Sequence, residues 1–383
     1  FFKKDTYKEV VAKTYDFLER EMKLASGGYA AALDADFLGE EGLFYVWNPQ
    51  ELKGLIQEQW DLFAAYFQLS ENDLWEDRYW ILQAPQDNSL FKTTYGLTQE
   101  RLDVLRTDWE RLLLDARSKR GAPLRDHKLI TSWNALLVSA YAEAYNAFGT
   151  AHYLKSATDL YGLISAQAPE NLRHIYNASK TAPVFSQDIV FLSQAALALY
   201  LTTNNSIYLA DAENKMNYLN RRFYSEEKSA YAFGDAGELM APLYVFSDGV
   251  MPSDNGVAAQ VNFLIGHIKF DPKASEKSTK AMANVQTFMS SDLANYTQWG
   301  QVYLYKLFPF YELAILGPKA FDFAEKVNKI GLPNVLVVAA QEPSELPLFQ
   351  DRYIAGETLF YVCVDYSCKL PVSSLSEALE QLQ

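Results

Sequence analysis

At 383 residues, 49% apolar and 21% charged, the chain has the composition of a soluble globular protein, long enough for one large domain with a small appendage. Its 34 basic against 48 acidic residues leave a formal charge of −14, which repels phosphate backbones and argues against nucleic acid as a partner. No apolar run reaches bilayer length, two cysteines are too few for a disulfide-built scaffold, and four scattered histidines give no metal-ligand spacing, so no membrane partner, metal or cofactor is expected.

Phe1-Phe2-Lys3-Lys4 shows neither an initiator methionine nor a signal-peptide pattern, and the chain reads as a fragment or processed product. From Lys3 to Lys23, Tyr7, Val10, Val11, Thr14, Tyr15, Leu18 and Met22 recur at helical spacing. Ser26-Gly27-Gly28 ends that helix, because glycine enters the left-handed conformation without steric cost. Leu43-Phe44-Tyr45-Val46-Trp47 reads as a short strand. It runs into Asn48-Pro49-Gln50-Glu51, where Asn48 suits the cap, Pro49 the first helical position and Glu51 the reciprocal capping partner.

Further helices are expected over about 98–119, 132–148, 151–167, 187–203, 206–223, 254–269, 274–290 and 292–307, with strand-like pieces at 173–177 and 230–233. Successive helices without a repeated motif suggest stacked hairpins, an α/α toroid domain over 1–308. Beyond Phe308 the character changes. A strand run at 311–317, a helix at 319–329 and strand runs at 334–340 and 358–364 predict a small α/β domain over 309–383, so the fold class is mainly α with an α/β appendage.

Three polar loops each open a long apolar-striped helix: Arg125-Asp126-His127-Lys128 … Thr131-Ser132-Trp133-Asn134, Phe185-Ser186-Gln187-Asp188, and Pro252-Ser253-Asp254-Asn255. Between each pair there is room for one returning helix, which sets the three starts at one end of the body. Helix N-termini present unpaired N–H groups and partial positive charge, so that end suits hydroxyls, carboxylates or phosphates.

The segments Gly27 to Asp36, Glu40 to Trp47, Arg125 to Asn134, Met251-Pro252-Ser253-Asp254-Asn255, and Tyr361-Val362-Cys363 … Cys368-Lys369-Leu370-Pro371-Val372 together resemble the YyaL / spermatogenesis-associated protein 20 family of thioredoxin-domain-containing proteins. The resemblance implies an (α/α)6 toroid related to N-acylglucosamine 2-epimerases and six-hairpin glycosidases. It also implies a thioredoxin-like domain and further toroid hairpins ahead of the segment seen here, so the toroid is incomplete or is closed by another polypeptide. Three departures stand at the expected mouth. His127 replaces a second acidic residue, Asp254 replaces a glycine with Gly256 where serine is common, and 239–247 lacks basic residues.

Asp126, Lys128, Trp133 and Asn134 could bind a sugar, with Ser253 and Asn255 beside them; the structural alternative is capping by Asp126 and Ser132 with Trp133 in the core. Asp188 could act as general acid or base, partnered by Asp126 or Asp34, or could serve only the helix dipole. Asp34 and Asp36 resemble half a calcium loop, with a structural or substrate-facing turn preferred. Toroid epimerases need a histidine, and His127 is the one in a motif loop.

Cys363 and Cys368 would face opposite sides of a continuous strand but could meet across a tight hairpin. Two buried thiols in a reducing compartment is the preferred reading, consistent with cytoplasm, and a redox role follows only from the family's thioredoxin-like domain. The sequence therefore points to a carbohydrate-active toroid, isomerase/epimerase or hydrolase, acting on a small sugar. The alternative is a non-catalytic scaffold that binds a partner, such as a thioredoxin-like domain or chain.

Overall fold

The computed structural model describes residues 4–85, 87–178, 182–234 and 241–382. The expected helix start at Lys3 and the first two residues of the 239–247 loop lie outside them. Helix α1 (Asp5–Phe17) is continued by one wide π turn over Leu18–Met22. The ring of its Tyr15 meets Tyr141 and Tyr153 edge-on.

Residues 32–126 form a compact unit with a core of their own. It contains β1 (Ala32–Leu33), a two-residue hairpin of β2 (Asp36–Phe37) and β3 (Glu40–Glu41), α2 (Pro49–Ile56), α3 (Trp60–Tyr66), α4 (Ser89–Tyr95), α5 (Gln99–Ser118) and β4 (Arg125–Asp126), which pairs with β1. Asn48 caps α2 as expected, accepting from the N–H of Gln50 at 2.9 Å. Glu51, expected to reach back to that cap, instead accepts from Arg120 Nη2 at both of its oxygens, each at 2.9 Å. A charge-assisted bond to a guanidinium is stronger than one to a neutral backbone N–H. The strand expected over Leu43–Trp47 does not form: 42–45 turn, and only Trp47 bridges to Trp80. A β pattern needs a partner edge to become a strand, and there is one residue of it here.

The other unit, 1–31 with 127–383, is built on hairpins of one design. Helix α6 (Thr131–Phe148) is followed by α7 (Ala151–Ile164), α8 (Ser186–Thr203) by α9 (Ser206–Phe223), and α10 (Asp254–Lys269) by α11 (Pro272–Met282). Each first helix ends in a left-handed residue, Gly149, Asn204 or Phe270, and the return helix starts two residues later. Asn205 and Asp271 cap two of those returns with their side chains. A left-handed residue reverses the chain in the least length, and a side-chain acceptor then starts the next helix.

Between α9 and α10 runs the small hairpin of β5 (Tyr224–Ser225) and β6 (Ala230–Tyr231). After α11 the expected helix over 274–290 is broken into α11 and a single turn, α12 (Gln286–Met289), and α13 (Thr297–Leu307) follows a 3-10 turn. Helix α6 packs on α8, α8 on α10 and α10 on α13, while α7, α9 and α11 each back their own partner. An inner row flanked by an outer row is the arrangement of an α/α toroid. The inner helices are accordingly apolar nearly all round: Ile189, Val190, Phe191 and Leu192 of α8 are all fully buried although they point in four directions. Among the described residues no helix is long and apolar enough to cross a membrane.

The chain ends in a four-stranded sheet ordered β10-β9-β7-β8. Strand β7 (Tyr311–Leu316) runs parallel to β8 (Val335–Ala340) through the crossover helix α14 (Ala320–Ile330), and β9 (Leu359–Val364) lies antiparallel on β7. All of β7 is buried, because the sheet is covered on both faces. Ala314, Leu316 and Val338 join the core of the helical hairpins, while Leu313, Ile315 and Val337 meet α14 and α15 (Leu375–Gln381). The strand β10 (Ser367–Cys368) folds back so that Cys368 stands opposite Cys363, and the two sulfurs are bonded. The expectation of two separate thiols is thus corrected: the turn at 365–366 makes the tight hairpin that brings them together.

Candidate functional site

The starts of the inner helices lie against one another and are linked by side chains. Ser132, in the first turn of α6, donates its N–H to Asp188 Oδ1 at 3.2 Å. Asp188, in the first turn of α8, also accepts the Phe185 N–H at 3.0 Å, and its carboxylate is fully buried. One helix further, Ser186 donates its hydroxyl to Asp254 Oδ2 at the start of α10. Asp254 is buried and accepts the Asn255 N–H at 2.8 Å. Burial pushes its carboxyl pKa up to about 6, against the lowering effect of the Ser186 and Asn255 hydrogen bonds.

The two expected asparagines share one task. Asn134 accepts the Tyr29 N–H at 2.9 Å and donates to the Tyr29 carbonyl at 3.1 Å. Asn255 accepts the Tyr231 N–H at 2.7 Å and donates to the Tyr231 carbonyl at 3.0 Å. A carboxamide is the one side chain whose donor and acceptor match those of an extended residue. Each asparagine therefore clamps a neighbouring segment to the start of its own helix. Ser253 caps α10, accepting from the Gly256 N–H at 3.0 Å. The alternative of Ser132 or Asp126 capping α6 does not hold: its cap position is Ile130, which has no side-chain acceptor.

Of the other expected residues, Trp133 is 45% exposed, which rules out the core alternative, and His127 and Lys128 are exposed on the same loop. The His127 carbonyl accepts from Asn177 at 2.8 Å. Asp34, Asp36 and Asp126 belong to the unit of residues 32–126. There Asp34 accepts the Asp36 N–H at 3.0 Å, which makes a turn, and Asp126 sits in β4. Among the described residues no group of three metal-ligating side chains converges.

The residue that sequence reasoning passed over is His174. Its Nδ1 lies 3.0 Å from Asp188 Oδ1 and its ring is 23% exposed, edge-on to Phe185. Thr131 at the start of α6 donates its N–H to the His174 carbonyl, and Ile130 bridges Ile175, so the loop is held in register with the helix start. The buried carboxylate fixes the Nδ1–H tautomer and leaves Nε2, without a hydrogen-bond partner among the described residues, as the basic nitrogen. A histidine oriented by a buried carboxylate can take a proton from a substrate and return it. The only sequence signal was a histidine in the piece expected at 173–177.

No family model matches the chain. An uncharacterised protein of Caenorhabditis elegans, B0495.5, is 22% identical over 99% of this chain and 58% of its own length. Spermatogenesis-associated protein 20 of Homo sapiens is 23% identical over 97% of this chain and 54% of its own length. The chain thus spans about half the length of the curated relatives it matches. Solved structures align more loosely. A GH76 α-mannanase of Bacteroides thetaiotaomicron has a TM-score of 0.37 at 12% identity over 62% of this chain and 70% of that one. The cellobiose 2-epimerase of Bacillus thermoamylovorans has a TM-score of 0.35 at 12% identity over 74% and 73%. Over nearly its whole length, the chain is similar to proteins named spermatogenesis-associated protein 20.

Proposed function

We propose that this chain is the toroid part of a sugar-processing protein, an isomerase or epimerase of a small sugar, with His174 as its acid/base. The observation that carries the reading is the 3.0 Å contact between His174 Nδ1 and buried Asp188, which leaves a partly exposed imidazole with a defined basic nitrogen. In such a reaction Nε2 removes the proton from the carbon next to the carbonyl of an open-chain sugar and returns it to a neighbouring carbon or to the other face. The exposed indole of Trp133, in the first turn of α6, offers an apolar ring face, and the ammonium of Lys128, on the loop before it, offers N–H donors to a hydroxyl. Hydrolysis fits less well. It needs two carboxylates working on one bond, and Asp188 and Asp254 are each already engaged by protein donors.

The test is proton exchange. The protein is incubated in D2O with mannose, fructose, N-acetylglucosamine and cellobiose, and deuterium at the carbon beside the carbonyl is followed by NMR. Exchange that disappears in His174→Gln supports the reading; none with any sugar, in a folded sample, sinks it.

A second reading is favoured by a different observation. Asn134, Asn255 and Ser253 spend their hydrogen bonds on the backbone, as a non-catalytic scaffold would require. Such a scaffold would present its surface to a partner, such as a thioredoxin-like domain. Absent exchange together with a partner that binds the folded chain would select it.

A further inference from the structure

A second site lies away from the His174–Asp188 pair. Glu143 is eleven residues beyond Ser132 on α6, about 16 Å along the helix at 1.5 Å per residue. It opens into a cavity of about 380 Å³ between the inner helices and the turn from α14 to β8. Its carboxylate has no hydrogen bond or ion pair among the described residues, and no lysine, arginine or histidine lines the cavity. Glu143 is exposed as a residue, standing at the rim of the cavity, and it is the protein around its carboxyl group that desolvates it and raises its pKa.

The other polar groups of the cavity share a polarity. Asn146 uses its amide N–H on Thr202 Oγ1 at 3.0 Å, and Asn328 uses its own on the Leu201 carbonyl at 3.3 Å. Each keeps a side-chain carbonyl oxygen without a hydrogen-bond partner among the described residues, and both residues line the space. Glu143 and Asn146, three apart on one helix, share a face. Gln260 is held rigid: it accepts from Gln298 at 2.9 Å and donates to Gln301 at 3.0 Å. The rings of Tyr305 and Phe310, 4.8 Å apart, complete the wall. One carboxylate, two amide carbonyl oxygens and two aromatic rings are all complementary to a cation carrying N–H donors.

We propose that this cavity binds a small primary alkylammonium ion. The ammonium meets Glu143 and the carbonyl oxygens of Asn146 and Asn328, and the alkyl chain lies against Leu264 and Leu336. The inference does not depend on the proposed sugar chemistry, since it uses none of the same residues.

The experiment is isothermal titration of the whole chain with butylamine and 1,4-diaminobutane, with 1-butanol as the neutral control of the same length. Saturable binding of an amine and none of butanol is expected. Glu143→Gln should weaken it at least about tenfold, the loss of one charge-assisted hydrogen bond. Asn328→Leu, which keeps the carboxylate, should weaken it severalfold and guards against a misfolded Glu143 variant. No amine binding, equal binding of butanol, or unchanged affinity in both folded variants would overturn the proposal.

Discussion

Ser186 of α8 and Asp254 of α10 share a hydrogen bond at the starts of two adjacent inner helices, in a place where both side chains are buried. The burial that holds the pair also raises the Asp254 pKa from 3.8 to about 6. Between those values the folded protein holds more protons than the unfolded chain, so the contribution of this group is full below pH 3.8 and is lost as pH rises through 6. The gap corresponds to a loss on the order of 3 kcal/mol. Urea unfolding of the parent and Asp254→Asn from pH 4 to 7 should show the parent losing that much relative to the variant. A difference that stays flat across the window would mean that Asp254 titrates as it does in the unfolded chain.

Asp188 and His174 should separate in stability although they touch. Asp188→Ala strands the N–H groups of Ser132 and Phe185 and is expected to cost about 2–4 kcal/mol. His174→Ala removes a partly exposed ring and should cost under about 1 kcal/mol. Denaturation midpoints at pH 7 decide it, and the reverse order would show that the histidine, not the carboxylate, organises this end.

Asn255→Ala is expected to lower stability by about 2–3 kcal/mol, because the Tyr231 N–H and carbonyl are left unpaired inside the protein. Asn255→Asp should be no milder: a carboxylate cannot donate to the Tyr231 and Val245 carbonyls and would stand beside Asp254. Thermal unfolding of the two variants side by side tests the clamp; an Asp variant as stable as the parent would count against it.

Gly317 closes β7 with φ +124°, and a Cβ there would come within 1.9 Å of the Glu357 carbonyl oxygen. Gly317→Ala should therefore cost more than about 3 kcal/mol, as both backbone strain and a clash with main chain act together. Gly356, at φ +82° with open space around it, isolates the first effect, and its alanine variant should cost about 1 kcal/mol. Similar losses at both sites would remove the clash from the account.

The Cys363–Cys368 bond closes a short loop, so reducing it should lower stability by about 2 kcal/mol through the freed unfolded chain. Thiol titration in denaturant should find no free cysteine before reduction and two after it. Two free thiols in the oxidised sample would restore the reading of separate buried cysteines.

The inner and outer helices were legible because each carries an apolar period ended by a residue suited to a left-handed corner, as at Gly149 and Asn204. The sheet was legible for the same local reason, since 311–316 is an apolar run broken only by Glu312. Helices α3 and α4 were not, because seven residues are too few for a period to declare itself. The partner of Asp188 was hidden for another reason. His174 is fourteen residues away, and the two come together through contacts outside any element: its bridge to the start of α6 and the hydrogen bond from its N–H to the Pro183 carbonyl. Glu143 looked like one more polar residue on a helix, and what surrounds it comes from α10, α13 and the end of α14.

The links between helix starts have a consequence for how the protein comes apart. Asp188 of α8 serves the first turn of α6, Asp254 of α10 holds Ser186 of α8, and Asp248 takes the N–H of both Ser253 and Gln298, joining α10 to α13. A hairpin that peeled away would leave orphaned donors in the neighbour it abandoned. Arrays of repeated hairpins often melt piecemeal from their ends. Here the shared caps couple each melting step to the next, so the array should open as a single cooperative unit, with amide protons from α6 to α13 exchanging together.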